Sequence, residues 1–206
     1  MGARGRARAV FAGLLRVAVH LGALLPLTWL VYAVPRGTLG GDPVQALIHF
    51  FGLGALRLLL LALLVSPLVK VLRFSPLLRL RRPLGLWCFV WASLHVASWA
   101  ALDLGLDWRL VGAELVERTY ILLGFLAWLI LAVLAVTSIP ALVRRLGRRW
   151  KRLHQLSYPA LLLVCVHFWW SVKSGWLEPA VYLALALALL ATRWRQLLAI
   201  LRRQRC

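Results

Sequence analysis

Five histidines, His20, His49, His95, His154 and His167, lie inside or at the edge of long apolar runs. An ionisable side chain in a bilayer is costly, so each is a candidate for function, with a simple interhelical hydrogen bond as the plainer role. Depth singles out two of them. Counted outward from Pro83 and from Arg152 at about 1.5 Å per helical residue, His95 and His167 lie ~18 Å and ~22 Å along their helices. Neutral imidazoles at matched depth on two helices can ligate one iron from both faces of a porphyrin, each through one ring nitrogen. The three cysteines, Cys88, Cys165 and Cys206, form no C-x-x-C pair and no C-x-x-C-H attachment motif. A haem in this chain is therefore non-covalent, of b type. No catalytic residue is assigned.

The remaining candidates cluster around this pair. Trp87, Trp91, His95 and Trp99 recur every four residues and share one helix face. Trp87 and Trp99 suit an interfacial belt, whereas Trp91 is deep enough either to pack on a porphyrin or to fill a helix contact. His154 stands ~20 Å inward of His167, the separation of two stacked haem levels, and marks a second or exchangeable site. The third helix carries arginine at the matching level, so its partner would be His20 from the first helix. Pro159, between His154 and His167, can bend or unwind that helix. His49 lies at the outer level and could replace a ligand, bind quinol or do neither. Arg57, two turns deeper, could meet a haem propionate or a flavin phosphate, or snorkel.

Positioning these side chains requires helices that cross a membrane. Hydrophobic residues make up 63% of the 206, and mean hydropathy is +0.84, well above a soluble domain. Apolar runs near 17–35, 43–69, 83–102, 119–143, 153–172 and 176–194 predict an all-α integral membrane protein, a single domain of six transmembrane helices, with no room for a further catalytic domain. The sixth run reaches spanning length only with Trp176, Glu178, Arg193 and Trp194 at the interfaces.

Charge supports that count. The net charge of +19 lies between apolar runs and not along a hydrophilic face, which argues for topology and anionic lipid contact and against nucleic acid. Arg4, Arg6, Arg8 and Arg16, then Lys70 to Arg82, then Arg144 to Arg152, then the C-terminal arginines occupy alternate segments. All six acids (Asp42, Asp103, Asp107, Glu114, Glu117 and Glu178) occupy the other three. The positive-inside rule places both termini in the cytoplasm. The first run is long, contains Pro26 and Trp29 and lacks a small-x-small cleavage site, which favours a retained helix over a signal peptide. No internal repeat is apparent.

Four segments carry a family resemblance: HLGALLPLTWLVYAV, LGGDPVQALIHFFG, RRPLGLWCFVWASLHVASW and LGRRWKRLHQLSYPALLLVCVHFWWSVK. Together they resemble the MsrQ family, formerly YedZ, the haem-binding membrane subunits of the MsrPQ methionine sulfoxide reductase system. The resemblance implies a ferric-reductase-like transmembrane fold in a bacterial inner membrane, b haem and bound FMN. It implies electrons passing from the quinone pool to MsrP, a periplasmic molybdenum enzyme that repairs oxidised envelope proteins. By position it makes His95 and His167 the main haem ligands and implicates His154 in a second site. The chain departs from the wider ferric reductase pattern in having one histidine on its third helix and no nicotinamide domain. A polytopic transporter lined by His20, His49 and Arg57, or a haemless scaffold, are the rival readings, and no acid lies within the spans to couple transport.

Overall fold

The long apolar runs have no alternative to helix in a bilayer, because every backbone N–H and C=O must be paired within the segment. The structure is a computed structural model describing residues 3–193; Trp194, the last arginines and Cys206 lie outside the described residues. Its helices are α1 (Ala3–Ala33), α2 (Pro43–Leu72), α3 (Arg81–Ser98), α4 (Trp108–Glu117), α5 (Thr119–Val136), α6 (Pro140–Leu146), α7 (Arg148–Leu153), α8 (Ser157–Ser171) and α9 (Leu177–Ala191). No strand occurs among the described residues. Four stretches, Val10–Ala33, Pro43–Leu72, Ser75–Asp103 and Thr119–Val136, are long and apolar enough to cross a membrane. The helices α8 and α9 have 15 residues each, ~22 Å of rise, and are shorter than the expected spans.

Local chemistry sets the ends. Asp42 accepts the Gln45 amide at 3.0 Å with Pro43 in the first turn, a start signal for α2. Asp107 caps α4 through the amides of Arg109 and Leu110. The fourth apolar run was expected to continue to 143, but α5 stops at Val136. Thr137 and Ser138 turn their hydroxyls back onto the Val133 and Leu134 carbonyls, and Pro140 has no amide with which to continue the ladder. In the fifth run the unwinding falls at a 3-10 turn, His154–Leu156, and Pro159 sits just past it in the first turn of α8, where a missing amide is harmless. Beyond His95, α3 widens into a π turn, Trp99–Asp103.

The helices pair as two antiparallel hairpins, α2 with α3 and α5 with α8, packed on each other through α3 and α5. The basic segment with α6 and α7 joins the second hairpin at one end, and the acidic α4 links the two at the other. Small residues let the backbones approach: Ala127, Ala160, Ala186, Cys88 and Cys165 are all essentially inaccessible. A Cβ on Gly54 would lie 2.0 Å from Cε3 of Trp91, so this indole lies directly on the α2 backbone. Two arginines clamp α9 to its neighbours. Arg57 Nε donates to the Tyr182 hydroxyl at 2.6 Å, and the buried Arg193 donates to the Tyr158 hydroxyl and to the Leu63 carbonyl.

Candidate functional site

A cavity of about 300 Å³ opens between the two hairpins, and both His95 and His167 line it. That volume lies within the range of small-molecule sites. His95 Nδ1 lies 2.9 Å from the Ile48 carbonyl and His167 Nδ1 lies 2.6 Å from the Tyr120 carbonyl. A carbonyl oxygen can only accept, so each ring holds its proton on Nδ1 and keeps the Nε2 lone pair free. A metal-binding histidine is normally oriented by such a second bond. The ring centroids are 6.1 Å apart and their planes are 79° apart. Two imidazoles bound to one iron at about 2 Å per bond, with about 1.2 Å more to each ring centre, would have centroids about 6.4 Å apart.

The two halves of this arrangement are copies of each other. In each, the accepting carbonyl lies 47 residues before its histidine. A glycine one turn after the carbonyl sits under the ring: a Cβ on Gly52 would be 3.1 Å from His95 Nδ1, and one on Gly124 would be 2.8 Å from His167 Nδ1. Positions 48, 52 and 95 thus recur at one constant shift as 120, 124 and 167, and at the same shift Ala55 matches Ala127 and Leu59 matches Leu131. All ten of these positions line the cavity. The repeat is not apparent in the sequence, because few residues are identical between the hairpins. The signal that could have found it is the equal glycine-to-histidine spacing.

These residues fit a haem. Glycine and alanine walls leave room for a flat macrocycle, Leu56, Leu59 and Leu131 form an apolar floor, and Gln45, Asp103, Glu114 and Arg118 make a polar mouth. The mouth lies at the end of the bundle that carries the acids.

Other candidates fall elsewhere. Trp91 is 3% exposed and lies outside this cavity, donating to the Ala23 carbonyl at 3.2 Å and packing on Phe50 and Phe51. Its contacts are helix contacts, whereas Trp99 lines the cavity. Arg57 likewise is not part of the lining and is engaged with Tyr182. His20 accepts the Trp87 indole N–H on Nδ1 at 2.9 Å, so its proton sits on Nε2, the opposite tautomer to the cavity pair. His154 packs on Trp150 with centroids 4.1 Å apart, makes a long 3.4 Å contact to Thr137 Oγ1 and does not line the cavity. His49 lines the mouth and pairs with Glu178 at 3.5 Å. Hydrogen bonding to Tyr120, with Glu114 and Asp103 nearby, holds the exposed Arg118 above its ordinary pKa.

The class of protein is that of ferric-reductase-type membrane components: residues 51–165 match the family described as "Ferric reductase like transmembrane component". Proteins from Salmonella paratyphi B, Salmonella newport and Salmonella enteritidis, each named "Protein-methionine-sulfoxide reductase heme-binding subunit MsrQ", are 48% identical over 183 residues, 88% of this chain and 92% of theirs. The chain belongs to the MsrQ family, and it is an integral membrane protein.

Proposed function

We propose that this chain is the b-haem electron-transfer subunit of a membrane system for methionine sulfoxide repair, with His95 and His167 as the axial ligands of one haem. The carrying observation is the pair of Nδ1-bonded imidazoles facing one cavity from two equivalent hairpins. A haem bound there supplies one-electron chemistry between ferric and ferrous iron. The protein's own part is to fix both rings, to wall off water with apolar side chains and to set the site near the acidic end. His154, on the basic side, is the candidate for a second, inner site. Electrons come from membrane quinol and pass outward to the periplasmic reductase MsrP, and FMN is a further cofactor, as the family resemblance implies. Anionic lipid headgroups suit the basic end.

Six spans in a bacterial inner membrane, with both termini in the cytoplasm, give this site its direction. The alternation of basic and acidic segments supports that topology. Reporter fusions near Gly112 and Gly175 are expected to read outside and fusions at Arg73 and Arg148 to read cytoplasm. A cytoplasmic reading at Gly112 would remove the six-span count.

Purified protein is expected to be red, with reducible b-type bands. In membranes, a reduced quinone analogue should reduce those bands without NAD(P)H, and reoxidation should follow addition of the reductase and a methionine sulfoxide substrate. Colourless protein from haem-replete cells would return the transporter and scaffold readings. Bands that quinol reduces but the reductase never reoxidises would keep an electron carrier while removing this partner.

A further inference from the structure

We propose that Arg118 anchors a haem carboxylate at the mouth of the cavity, the role that the sequence had offered to Arg57. This rests on the reading of the cavity as the haem site. The cavity is amphiphilic along its length: leucines close the inner end and polar side chains ring the outer one. Haem b is amphiphilic in the same sense, with two propionates on one edge and apolar substituents on the other, so its acidic edge belongs at the mouth. Among the described residues lining the cavity, Arg118 is the one lysine or arginine. Arg57 lies outside that lining and spends its Nε on Tyr182.

The Arg118 fork has capacity for a further acceptor. Its Nε holds Glu114 at 2.9 Å and its Nη1 donates to the Tyr120 hydroxyl at 3.3 Å, which leaves Nη2 without a protein partner among the described residues. A guanidinium carries five donors in one plane and can serve two carboxylates together. It needs to, because Asp103 and Glu114 line the same mouth, with His49 and its partner Glu178 beside them. Without a cation between them, carboxylates on the arriving edge would face like charge.

The position also links two surfaces. Glu114 belongs to α4, whose Trp108 and Val116 are 72% and 84% exposed. The Tyr120 carbonyl orients His167. Arg118 thus stands between the outward helix and the ligand-bearing hairpin. It is a binding residue for the cofactor edge, and it acts on the iron only through charge.

The test is a redox titration and a haem-transfer assay on full-length protein in membranes, comparing Arg118→Gln, Arg118→Lys and Arg57→Gln. Removing a nearby cation favours ferric over ferrous iron, so Arg118→Gln is expected to lower the midpoint potential. It should also release haem to an apoprotein acceptor about two- to five-fold faster, the range of a solvent-exposed ion pair. Arg118→Lys keeps the charge and loses the fork, so it should restore most of the potential and less of the retention. Arg57→Gln should leave both unchanged. Haem retained in full by alanine variants of both His95 and His167 would remove the underlying site reading. With that reading intact, an unmoved midpoint in Arg118→Gln, or a shift in Arg57→Gln in its place, overturns the assignment.

Discussion

Alanine at either His95 or His167 is expected to abolish haem retention, by more than the roughly 10–100-fold that loss of a metal ligand's outer partner alone costs. Each ring is held by its carbonyl with Nε2 directed away from that bond, so no rotation of the remaining histidine supplies a second ligand. The alternative at that level, His49, lines the mouth but pairs with Glu178 and packs on Phe168, with no glycine beneath its ring among the described residues. Pyridine haemochrome per mole of purified protein is the measurement, with detergent gel filtration reporting the fold. His20→Ala should be milder, since His20 serves as an acceptor for the Trp87 indole. His154→Ala should change at most part of the spectrum. Full haem content in both the His95 and His167 variants would show that the cavity is not the haem site.

How much of this was legible beforehand follows from what a membrane sequence encodes. Depth was readable, because helical rise is constant and the span ends are marked by charge; that is how His95 and His167 stood out as a pair. Azimuth was not. In lipid, an apolar residue gives no sign of whether it faces a neighbour or the bilayer, so periodicity loses its meaning. The stripe of Trp91 and His95 shows the consequence. Gly52 and Gly54 are about 200° apart around α2 at about 100° per residue. His95 passes one flank of that helix over Gly52 while Trp91 passes the other over Gly54. One face of α3 therefore serves two different environments, and Trp91 goes to the α1 side.

The ends of the spans failed for a related reason. Hydropathy ran on through Thr137 to Val143, while the stop depends on hydroxyls returning to carbonyls one turn back and on Pro140. Hydropathy averages register neither. Depth alone made Arg57 a propionate candidate, and azimuth adds that α2 presents it to α9, where its Nε donates to the Tyr182 hydroxyl. The glycines escaped notice because their role is to be absent side chains. Only the carbonyl, the glycine and the histidine taken together, twice, reveal what Gly52 and Gly124 do.

Gly124→Ala is expected to disturb the site far more than the size of a methyl group suggests, and more than Gly52→Ala. A Cβ at 124 would lie 2.8 Å from Nδ1, 2.9 Å from Cε1 and 3.1 Å from Cγ of His167, squarely on the ring face. At 52 the corresponding contacts with His95 are 3.1, 3.2 and 3.7 Å, which a few tenths of an ångström would relieve. His167 has little freedom to yield, because Tyr120 holds one side of the ring and a bound iron would hold the other. Either the ring tilts and stretches its carbonyl bond, or α5 retreats from α8. Overpacking of this kind costs about 1–3 kcal/mol, against about 1 kcal/mol gained by replacing glycine with alanine within a helix, so the fold should survive. Haem retention should fall by about 10-fold, the low end for an outer-shell change at a metal ligand.

Electron paramagnetic resonance of the ferric protein gives a second readout. Were both rings to bind one iron with their planes 79° apart as they stand here, the two upper π-type iron orbitals would be nearly degenerate, so the low-spin signal should be strongly anisotropic, with one large principal g value. Tilting His167 should move that value in Gly124→Ala and scarcely in Gly52→Ala. Gly54→Ala separates site from scaffold. Its Cβ would lie 2.0 Å from Trp91, so it should lower thermal stability more than either change, yet it touches neither ligand and should leave the g values in place. An unchanged signal and full haem content in Gly124→Ala, with both altered in Gly54→Ala, would mean that the iron sits on the Trp91 side of α2 and not between the hairpins.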